Sequence, residues 1–304
     1  MSKKTEIDVA GRKLVVSNLD KVLYPKTGFT KGQVIDYYVR ISEVLLPHLK
    51  NRPITLKRYP EGVEGFFFYE KQCPSHRPEW VKTTPVASER RKEKQIDYCM
   101  MNDLPALVWA ANLADLELHT FLHCAPAITR PTVLAFDLDP GPPADIVLCC
   151  KVGLWVKAVF DALGLQCFAK TSGSKGLQVF VPLNTAASYG KTKPFARTLA
   201  ERLEREHPES VVSRMQKSLR ANKVLIDWSQ NDEHKTTVCV YSLRAREHPT
   251  VSTPVTWEEI EQTVKENDPR RLVFEAGDVL ERVAKQGDLF GPTLEIKQRL
   301  PASA

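Results

Sequence analysis

The sequence predicts an α+β fold built around a mixed or antiparallel sheet. Several strand-like segments follow one another without an intervening helix, as residues 54–59 and 65–71 do. No Gly-x-Gly-x-x-Gly turn follows the first strand, which argues against a Rossmann fold. The chain also shows no internal repeat and no long low-complexity linker. We therefore expect one large domain or two closely joined lobes.

Local patterns assign the elements of the first half. Thr30-Lys-Gly-Gln33 is a capping box that opens a helix, and we expect Pro47 to end that helix. The other expected elements are a strand and turn at 12–24, strands at 54–59 and 65–71, a loop at 72–95 and a helix at 104–119.

The second half alternates more regularly between strands and helices. Gly164 is expected just beyond the end of a helix, where a left-handed conformation favours glycine. The expected strands span residues 133–137, 165–170, 176–183, 224–228 and 236–241. The expected helices span residues 152–163, 194–206, 257–265 and 277–285.

The composition is that of an ordinary globular protein with a mild excess of positive charge. Hydrophobic residues make up 42% of the 304 residues and charged residues 26%, and the formal net charge is +6. This charge permits a polyanionic partner without requiring one. No apolar run approaches the length of about 18 residues that predicts a membrane-spanning helix, so no membrane partner is expected. The N-terminus lacks the apolar core of a signal peptide.

The seven cysteines bear on the cellular compartment. Their odd number and the absence of any Cys-x-x-Cys pair predict neither a disulfide framework nor a zinc ribbon. Cys149 and Cys150 lie in an apolar context and are expected to be buried thiols. A reducing cytoplasm is therefore the expected location.

Two aspartates lie at the end of the apolar segment 134–139, directly before a Pro-Gly turn. Side chains of a strand alternate between its faces, so Asp137 and Asp139 would point the same way, roughly 7 Å apart. Two carboxylates this close repel each other, and a bridging Mg²⁺ or Mn²⁺ ion would remove that cost. The alternative is a strand that simply ends in a polar turn.

A third carboxylate, Asp227, also lies at the end of an apolar strand. Three carboxylates on two strand ends can hold two divalent ions about 4 Å apart, an arrangement that suits phosphoryl or nucleotidyl transfer. Taken singly, an aspartate that caps a strand in solvent is the commoner case.

Two further features could bind phosphate. Residues 171–176 read Thr-Ser-Gly-Ser-Lys-Gly between two strands, and backbone amides and a lysine meet the anion in such phosphate cradles. The pattern is not a Walker A loop, and an ordinary hairpin turn is the alternative. His119 closes the predicted helix, where the helix dipole favours a histidine. A hydrogen bond or a proton role at a phosphate is the alternative for His119.

Basic residues cluster near aromatic residues such as Tyr59 and residues 66–69. This combination favours nucleic-acid binding through phosphate pairing and base stacking. The alternative is solvated charge around a hydrophobic strand. The basic groups are Lys21, Lys26 and Lys31; Arg52, Lys57 and Arg58; Arg90, Arg91, Lys92 and Lys94; and Arg214, Lys217, Arg220 and Lys223.

Five motifs then occur in order along the chain. They are Asn18-Leu-Asp-Lys-Val-Leu-Tyr-Pro25, Asp137-Leu-Asp-Pro-Gly141, Thr171-Ser-Gly-Ser-Lys-Gly176, Lys217-Ser-Leu-Arg220 and Ile226-Asp-Trp-Ser-Gln-Asn231. Together they resemble the polymerase domain of the prokaryotic non-homologous end-joining ligase D, within the archaeo-eukaryotic primase superfamily. The resemblance extends over about residues 6–290.

This resemblance implies a single primase-polymerase catalytic domain over residues 1–304. An RRM-like catalytic sheet of the archaeo-eukaryotic primase type, at about residues 126–290, would pack against an N-terminal α/β lobe at about residues 1–125. Asp137, Asp139 and Asp227 would bind two catalytic ions, Mn²⁺ or Mg²⁺.

The resemblance also assigns residues to the nucleotide and to DNA. The residues that would contact the incoming NTP or dNTP are His119, Ser172, Lys175, Arg244, Lys57, Gln230 and either Phe68 or Tyr69. This chain has Phe68-Tyr69 where the family would have Phe-Phe, so the residue that stacks on the base stays open. The residues that would bind a 5′-phosphate or help pair two DNA ends are Lys21, Lys31 and Arg220.

The implied activity is the addition of nucleotides, preferably ribonucleotides, to a DNA 3′-hydroxyl at gaps and double-strand breaks. The implied partners are such DNA, a DNA ligase and a Ku protein, and the implied location is cytoplasmic and nucleoid-associated. No Lys-x-Asp-Gly adenylation motif occurs, so no ligase domain is expected. Two alternatives remain, a non-catalytic module that binds and bridges DNA ends, and a primase that starts chains without a primer.

Overall fold

The fold is α+β, as the sequence predicts. The computed structural model describes residues 4–88 and 94–301, so the basic run at Arg90–Lys92 lies outside the described residues. The helices are α1 (Lys31–Leu49), α2 (Leu104–Asn112), α3 (Ile146–Ala162), α4 (Tyr189–Glu206), α5 (Trp257–Glu266), α6 (Ala276–Gln286) and α7 (Pro292–Glu295). Among the described residues, none of the helices has the length and apolar character needed to cross a membrane.

Short strands make up the rest of the regular structure. They are β1 (Lys4–Val9), β2 (Arg12–Ser17), β3 (Val22–Tyr24), β4 (Phe29–Thr30), β5 (Pro53–Arg58), β6 (Phe68–Glu70), β7 (Thr83–Ala87), β8 (Gln95–Met100), β9 (Asp115–Phe121), β10 (Val133–Pro140), β11 (Phe168–Thr171), β12 (Leu177–Pro182), β13 (Val211–Val212), β14 (Val224–Asp227), β15 (Thr236–Val238) and β16 (Pro254–Val255).

The chain divides into two compact units. The first unit comprises residues 1–126, 236–251 and 274–287, and the second comprises residues 127–235, 252–273 and 288–304. The first unit therefore includes two segments that lie beyond the N-terminal lobe expected from the sequence. The assignment of residues 1–304 to a single catalytic domain stays a prediction.

The first unit is built on an antiparallel sheet with strand order β15-β9-β5-β8-β7, and β6 also pairs with β5. Helices α1 and α2 pack against each other, and α2 also contacts β9. Fully buried tyrosines such as Tyr37 and Tyr38 lie on α1, and their hydroxyls donate to the carbonyls of Tyr241 and Leu116 at 2.8 Å. Because these buried hydroxyls have partners, the tyrosines contribute core volume without an unmet polar group.

The sheet of the second unit has an RRM-like topology. The chain forms β10, α3, β11, β12 and α4 in turn and reaches β14 after the short strand β13, and the four main strands lie in the order β14-β10-β12-β11. All neighbours in this order are antiparallel. Short strands β13 and β16 extend the two edges. The βαββαβ arrangement confirms the expected catalytic sheet type.

The capping box confirms the start of α1, but Pro47 does not end it. Thr30 Oγ1 accepts from the Gln33 amide at 3.3 Å, and Gln33 Oε1 accepts from the Thr30 amide at 2.8 Å. The helix continues to Leu49, with Pro47 in its last turn. A proline near a helix end removes a single backbone hydrogen bond, which neighbouring turns tolerate.

The expected helix at 104–119 is wrong in its second half. Helix α2 ends at Asn112, Ala114 takes a left-handed conformation with φ of 57°, and β9 then includes His119. The sequence Asp-Leu-Glu-Leu-His at 115–119 alternates with period two, which is typical of a strand. The expected loop at 72–95 is also wrong in part, because β7 lies within it and pairs with β8.

A disulfide joins Cys73 and Cys99, contrary to the expectation from the cysteine count. Their Cα atoms lie 5.0 Å apart, and the Cys73 amide donates to the Asp97 carbonyl at 2.7 Å. Sequence spacing could not reveal this pair because β8 and the segment before β7 meet only in the folded chain. Cys149 and Cys150 are buried and free, as expected. The disulfide removes the support that the cysteine pattern lent to a reducing compartment.

Candidate active site

Strand register places the three predicted catalytic aspartates on one face of the second unit's sheet. In the β10–β14 pair, Asp137 lies directly opposite Asp227, and Asp139 lies opposite Leu225. Directly opposed residues in an antiparallel pair point to the same face, and so do residues two apart on one strand. The carboxylates of Asp137, Asp139 and Asp227 therefore share one face of this pair of adjacent strands.

The electrostatic environment of Asp137 is unfavourable for a lone carboxylate. Burial, together with the charges of Asp139 and Asp227, raises the pKa of Asp137 to about 7, against a hydrogen bond from Gln178 and the charge of Lys170. Oδ1 of Asp137 is buried and has no hydrogen-bond partner. A buried, unpaired oxygen acceptor beside two like charges is a local environment that a cation would stabilise.

Asp227 is already engaged by the turn that follows it. Its Oδ1 accepts from the Ser229 amide at 2.9 Å and from the Ser229 hydroxyl at 2.5 Å. Its Oδ2 accepts from Nε2 of Gln230 at 3.1 Å. The structure thus brings the predicted residues Asp227 and Gln230 into direct contact.

The three carboxylates are suitable ligands for a hard divalent cation, although the side chains are not arranged as a complete metal-binding site. Carboxylate oxygens are the ligands that Mg²⁺ and Mn²⁺ prefer. The part of the chain that the structure describes holds no group of three or more His, Cys, Asp or Glu side chains arranged to bind a metal ion. Asp227 can contact the ion while keeping its hydrogen bonds from Ser229 and Gln230, because an ionised carboxylate has about four lone-pair sites and these bonds use three.

The loop between β11 and β12 is held closed by its own serine. The Ser172 hydroxyl accepts from the amides of Ser174 at 3.3 Å and Gly176 at 3.1 Å, and the Ser172 amide donates to the Gly176 carbonyl at 2.9 Å. Gly173 has a positive φ of 66°. Ser172 is buried, whereas Lys175 is exposed at the loop tip. The loop is therefore a tight hairpin turn that presents one lysine to solvent.

Gly176 fixes the distance between this loop and the acidic strand. A Cβ atom at Gly176 would lie 2.3 Å from the Leu138 carbonyl oxygen and 3.6 Å from Oδ1 of Asp139. No side chain fits there unless the loop or β10 moves, because the nearest atom belongs to the backbone.

Arg220 ends a short 3-10 helix at residues 217–219 on the same unit. Its Nη2 donates to the Met215 carbonyl at 2.6 Å, and its Nε is buried with no hydrogen-bond partner. The Gly141 amide donates to the Lys223 carbonyl at 2.8 Å, so the turn after β10 packs on this segment. Arg220 is thus near the end of the acidic strand in space as well as in the motif order.

In the first unit, a buried glutamate organises three of the predicted nucleotide-binding residues. Glu117 is 1% exposed. Its carboxylate lies 3.3 Å from Nζ of Lys57, 2.9 Å from Nε2 of His119 and 3.3 Å from Nε of Arg244. It also accepts from the Ala245 amide at 3.1 Å. The carboxylate therefore holds three basic side chains from β5, β9 and the segment after β15.

Burial and charge pairing have opposing effects on the pKa values in this cluster. Burial by itself would raise the pKa of Glu117, but the His119 hydrogen bond and the charges of Arg244 and Lys57 hold it well below its usual range. Burial lowers the pKa of His119, against the opposing effect of Glu117. Burial would lower the pKa of Lys57, but Glu117, Tyr59 and Tyr69 together outweigh burial and the pKa is raised. The cluster therefore keeps Lys57 charged.

Aromatic rings surround the ammonium of Lys57. Nζ lies 5.3 Å from the ring centre of Tyr59, 4.9 Å from that of Phe67 and 5.3 Å from that of Tyr69. Phe67 is 45% and Tyr69 is 55% exposed, so both rings offer free surface. The Tyr69 ring also meets the His119 ring edge-on at 5.9 Å.

Register separates the two aromatic candidates. In the β5–β6 pair, Tyr69 lies opposite Lys57, and Phe68 lies opposite Arg58. Since neighbouring residues on a strand face opposite ways, Phe68 points away from the Lys57 face. Its ring lies 5.2 Å from the Arg58 guanidinium carbon. The structure therefore joins Tyr69, and not Phe68, to Lys57 and His119.

Lys21 and Lys31 lie at the start of α1 in different environments. Lys31 is 6% exposed, and its Nζ donates to the Ser17 carbonyl at 2.7 Å. Burial, followed by the charges of Lys21 and Arg58, lowers the pKa of Lys31 from 10.5 to about 8. Lys21 is more exposed and lies 3.1 Å from Oε2 of Glu61.

Sequence reasoning missed several residues that organise these groups. Glu117 was hidden by the wrong helix assignment, although the period-two pattern at 115–119 could have revealed it. Phe67 was named only as part of an aromatic run, and no role was expected for it. Lys170 and Gln178 were missed because both lie inside strands that otherwise read as buried and apolar.

Comparisons with known proteins agree with the fold. A family model described as the LigD primase-polymerase domain matches residues 30–290. A multifunctional non-homologous end joining protein LigD from Mycolicibacterium smegmatis is 41% identical over 283 residues, which cover 91% of this chain and 35% of the relative. A bifunctional LigD from Bacillus subtilis is 31% identical over 293 residues, which cover 96% of this chain and 46% of the relative. The chain thus spans less than half the length of these relatives.

A solved structure matches over nearly the whole chain. The polymerase domain of Mycobacterium tuberculosis ligase D, in complex with DNA, has a TM-score of 0.85 and 38% identity, covering 94% of this chain and 99% of that one. The sheet topology, the acidic face and these matches define a nucleotidyltransferase of the primase-polymerase class. The chain belongs to the LigD primase-polymerase domain family, which confirms the resemblance found in its five motifs.

Proposed function

We propose that this chain is an end-joining polymerase that adds nucleotides to a DNA 3′-hydroxyl at gaps and broken ends. The observation that carries this proposal is the register of β10 and β14, which places Asp137, Asp139 and Asp227 on one face of an RRM-like sheet. Membership of the family supplies the reaction class.

Asp137, Asp139 and Asp227 are the proposed ligands of two Mg²⁺ or Mn²⁺ ions. Such ions would supply activation of the primer hydroxyl and stabilisation of the charge that develops at phosphorus. The protein would orient the carboxylates. The buried Oδ1 of Asp137, which has no hydrogen-bond partner, supports this role because a buried acceptor left unpaired is costly.

Basic and polar residues are the proposed contacts to the nucleotide. Lys175 would neutralise phosphate charge from the tip of a loop that Ser172 holds closed. Gln230 would bind close to Asp227, which it already contacts. In the first unit, Tyr69 would stack on a base, and the cluster around Glu117 would present Lys57, His119 and Arg244 to phosphate or base. Tyr69 is preferred to Phe68 because it shares a face with Lys57.

Extension of gapped DNA tests the function as a whole. The substrate is a 5′-phosphorylated gap with labelled NTP or dNTP and Mn²⁺, and templated addition to the primer is the expected result. DNA binding and end bridging without addition would favour the non-catalytic module. Synthesis on a template that lacks a primer would favour a primase that starts chains.

Sugar selection is the first specific expectation, and we predict that ATP is used at least as efficiently as dATP. A site built to pair with a hydroxyl leaves its own polar groups unpaired when that hydroxyl is missing. Ser172 is the first candidate, because its buried hydroxyl lies in the turn between β11 and β12, next to the acidic strand β10. Competition between ATP and dATP opposite the same template base measures kcat/KM for each.

Ser172→Ala should lower the ratio of ATP to dATP use, and the ratio itself corrects for any general loss of activity. A clear preference of the unaltered protein for dATP would contradict the sugar assignment while leaving the polymerase assignment standing.

Recognition of a 5′-phosphate by Lys21 and Lys31 should depend on pH. The pKa of Lys31 is lowered to about 8, so this ammonium is mostly charged at pH 7 and mostly neutral at pH 9. A phosphate monoester, with a second pKa of about 6, stays doubly charged over this interval. Binding favours the charged lysine, so the affinity advantage of a 5′-phosphate over a 5′-hydroxyl should shrink as pH rises through about 8. Fluorescence anisotropy with gapped DNA measures the two affinities at each pH.

In Lys31→Ala the affinity advantage of a 5′-phosphate over a 5′-hydroxyl should be smaller and should not change between pH 7 and 9. The exposed control Lys13→Ala should behave like the unaltered protein. Equal affinities for the two DNA ends at pH 7, or an advantage that does not change with pH, would refute the assignment to Lys31.

The wider setting is part of the proposal. The relatives from M. smegmatis and B. subtilis are named for non-homologous end joining, and this chain spans 35% and 46% of them. We propose double-strand-break DNA as its substrate, with Arg220 helping to pair ends, a DNA ligase and Ku as partners, and the cytoplasmic nucleoid as its location.

A further inference from the structure

A continuous row of polar side chains crosses the sheet of the second unit from Asp227 to Lys170. Asp227 lies opposite Asp137, Asp137 lies opposite Gln178, and Gln178 lies opposite Lys170. These residues occupy four adjacent strands, and directly opposed residues share a face. The proposed metal ligands are therefore joined, through one glutamine, to a lysine two strands away.

Lys170 is a buried cation in the middle of this sheet. It is 1% exposed. Its ammonium donates to Oε1 of Gln178 and, at 2.7 Å, to the Ser252 hydroxyl, and it lies 5.4 Å from the ring centre of Phe180. A buried charge needs such partners, and they hold the ammonium in one place.

The lysine determines which way the Gln178 amide faces. A side-chain amide has one accepting and one donating end, whereas an ammonium can only donate. Oε1 of Gln178 must therefore face Lys170, which turns its NH₂ group to Asp137. That group donates a hydrogen bond to the Asp137 carboxylate. Oδ1 of the same carboxylate has no hydrogen-bond partner.

We propose that Lys170 is a positioning residue for Asp137. By fixing the orientation of Gln178, it holds one part of the Asp137 carboxylate and leaves Oδ1 available to a divalent cation. The inference rests on the proposed function, since Asp137 is a metal ligand only there. Lys170 itself touches neither nucleotide nor ion and acts through Gln178.

The sign of the effect separates positioning from simple charge. A lysine that acted only through its charge would repel a nearby cation, so at about pH 8.5, where Asp137 is ionised, Lys170→Met would then strengthen Mn²⁺ binding. If Lys170 orients Gln178, the same substitution weakens Mn²⁺ binding, because the amide can rotate and Asp137 loses its fixed geometry. Gln178→Leu removes the same link without changing any charge.

The experiment measures Mn²⁺ affinity from the electron paramagnetic resonance signal of free Mn²⁺, with the full chain and without DNA or nucleotide. We expect Lys170→Met and Gln178→Leu each to weaken Mn²⁺ binding about tenfold, and the double variant to be no weaker than either single variant, since coupled residues are not additive. Lys151→Met, an exposed lysine on α3, should bind as the unaltered protein does. Circular dichroism reports folding.

Unchanged or tighter Mn²⁺ binding in folded Lys170→Met would overturn the inference, and so would additive losses in the double variant. If Lys170→Met does not fold, unchanged binding in Gln178→Leu would overturn it and weakened binding would support it. Failure of the proposed function has a different result, because the unaltered protein would then neither bind Mn²⁺ nor extend a primer.

Discussion

Asp137→Ala is expected to lower the rate of nucleotide addition by about 10³-fold or more. Loss of one residue from a group that acts together in a catalytic centre typically lowers the rate by such a factor. Asp137 lies opposite Asp227 and two residues before Asp139, so its loss leaves a hole in the middle of the acidic face. Single-turnover extension of gapped DNA at saturating Mn²⁺ measures the rate.

Measured without divalent cations, the DNA affinity of the same variant should be unchanged or slightly higher, since removing a carboxylate reduces repulsion of the polyanion. Asp161→Ala is the matched control, because Asp161 is an exposed aspartate on α3 in the same unit. Extension by Asp137→Ala within a few-fold of the unaltered protein would contradict the catalytic role of the acidic face.

Gly176→Ala is expected to have the second largest effect, on both stability and activity. The added Cβ would lie 2.3 Å from the Leu138 carbonyl, so either the loop or β10 must move. Overpacking of this kind costs about 1–3 kcal/mol of unfolding free energy. The displaced loop would also carry Lys175 away from Asp139, and we expect at least a tenfold loss of extension. Urea unfolding and the extension assay measure the two effects.

Gly190→Ala offers a matched control within the same unit. A Cβ at Gly190 meets its nearest atom, the Ser188 hydroxyl, at an ordinary 3.7 Å, and alanine favours the helix α4. This variant should be as stable and as active as the unaltered protein. If Gly176→Ala matched it in both measurements, the close approach of the loop to β10 would have no functional importance.

Local sequence determined the features that depend on near neighbours. The start of α1 follows from a four-residue capping box, and the end of α3 follows from Gly164, whose φ is 67°. The position of Asp227 at the end of β14 also follows from a short apolar run, whereas β10 was expected to end at Asp137 and continues to Pro140. Such features could be predicted because the interacting groups lie within a few residues of each other.

Where two local patterns competed, the sequence alone misled. Residues 113–119 fit a helical period loosely and a period of two closely, and the tertiary sheet selected the strand. His119 consequently lies beside Glu117, where it joins Lys57 and Arg244, and not at the end of a helix dipole. Likewise, Phe68 and Tyr69 are adjacent in the sequence, but their pairing with β5 places them on opposite faces.

By itself the sequence determined the family, the fold class and the identity of the acidic residues, because the motifs that carry them are short and occur in order. Only the tertiary structure decided which residues act on one another. The opposition of Asp137 to Asp227, the link from Asp137 through Gln178 to Lys170, and the Cys73–Cys99 disulfide all join strands or segments that are distant in the chain. Strand register sets the first two of these contacts, and the packing of a loop against β8 sets the disulfide. Both arise only when segments distant in the chain meet in the folded sheet.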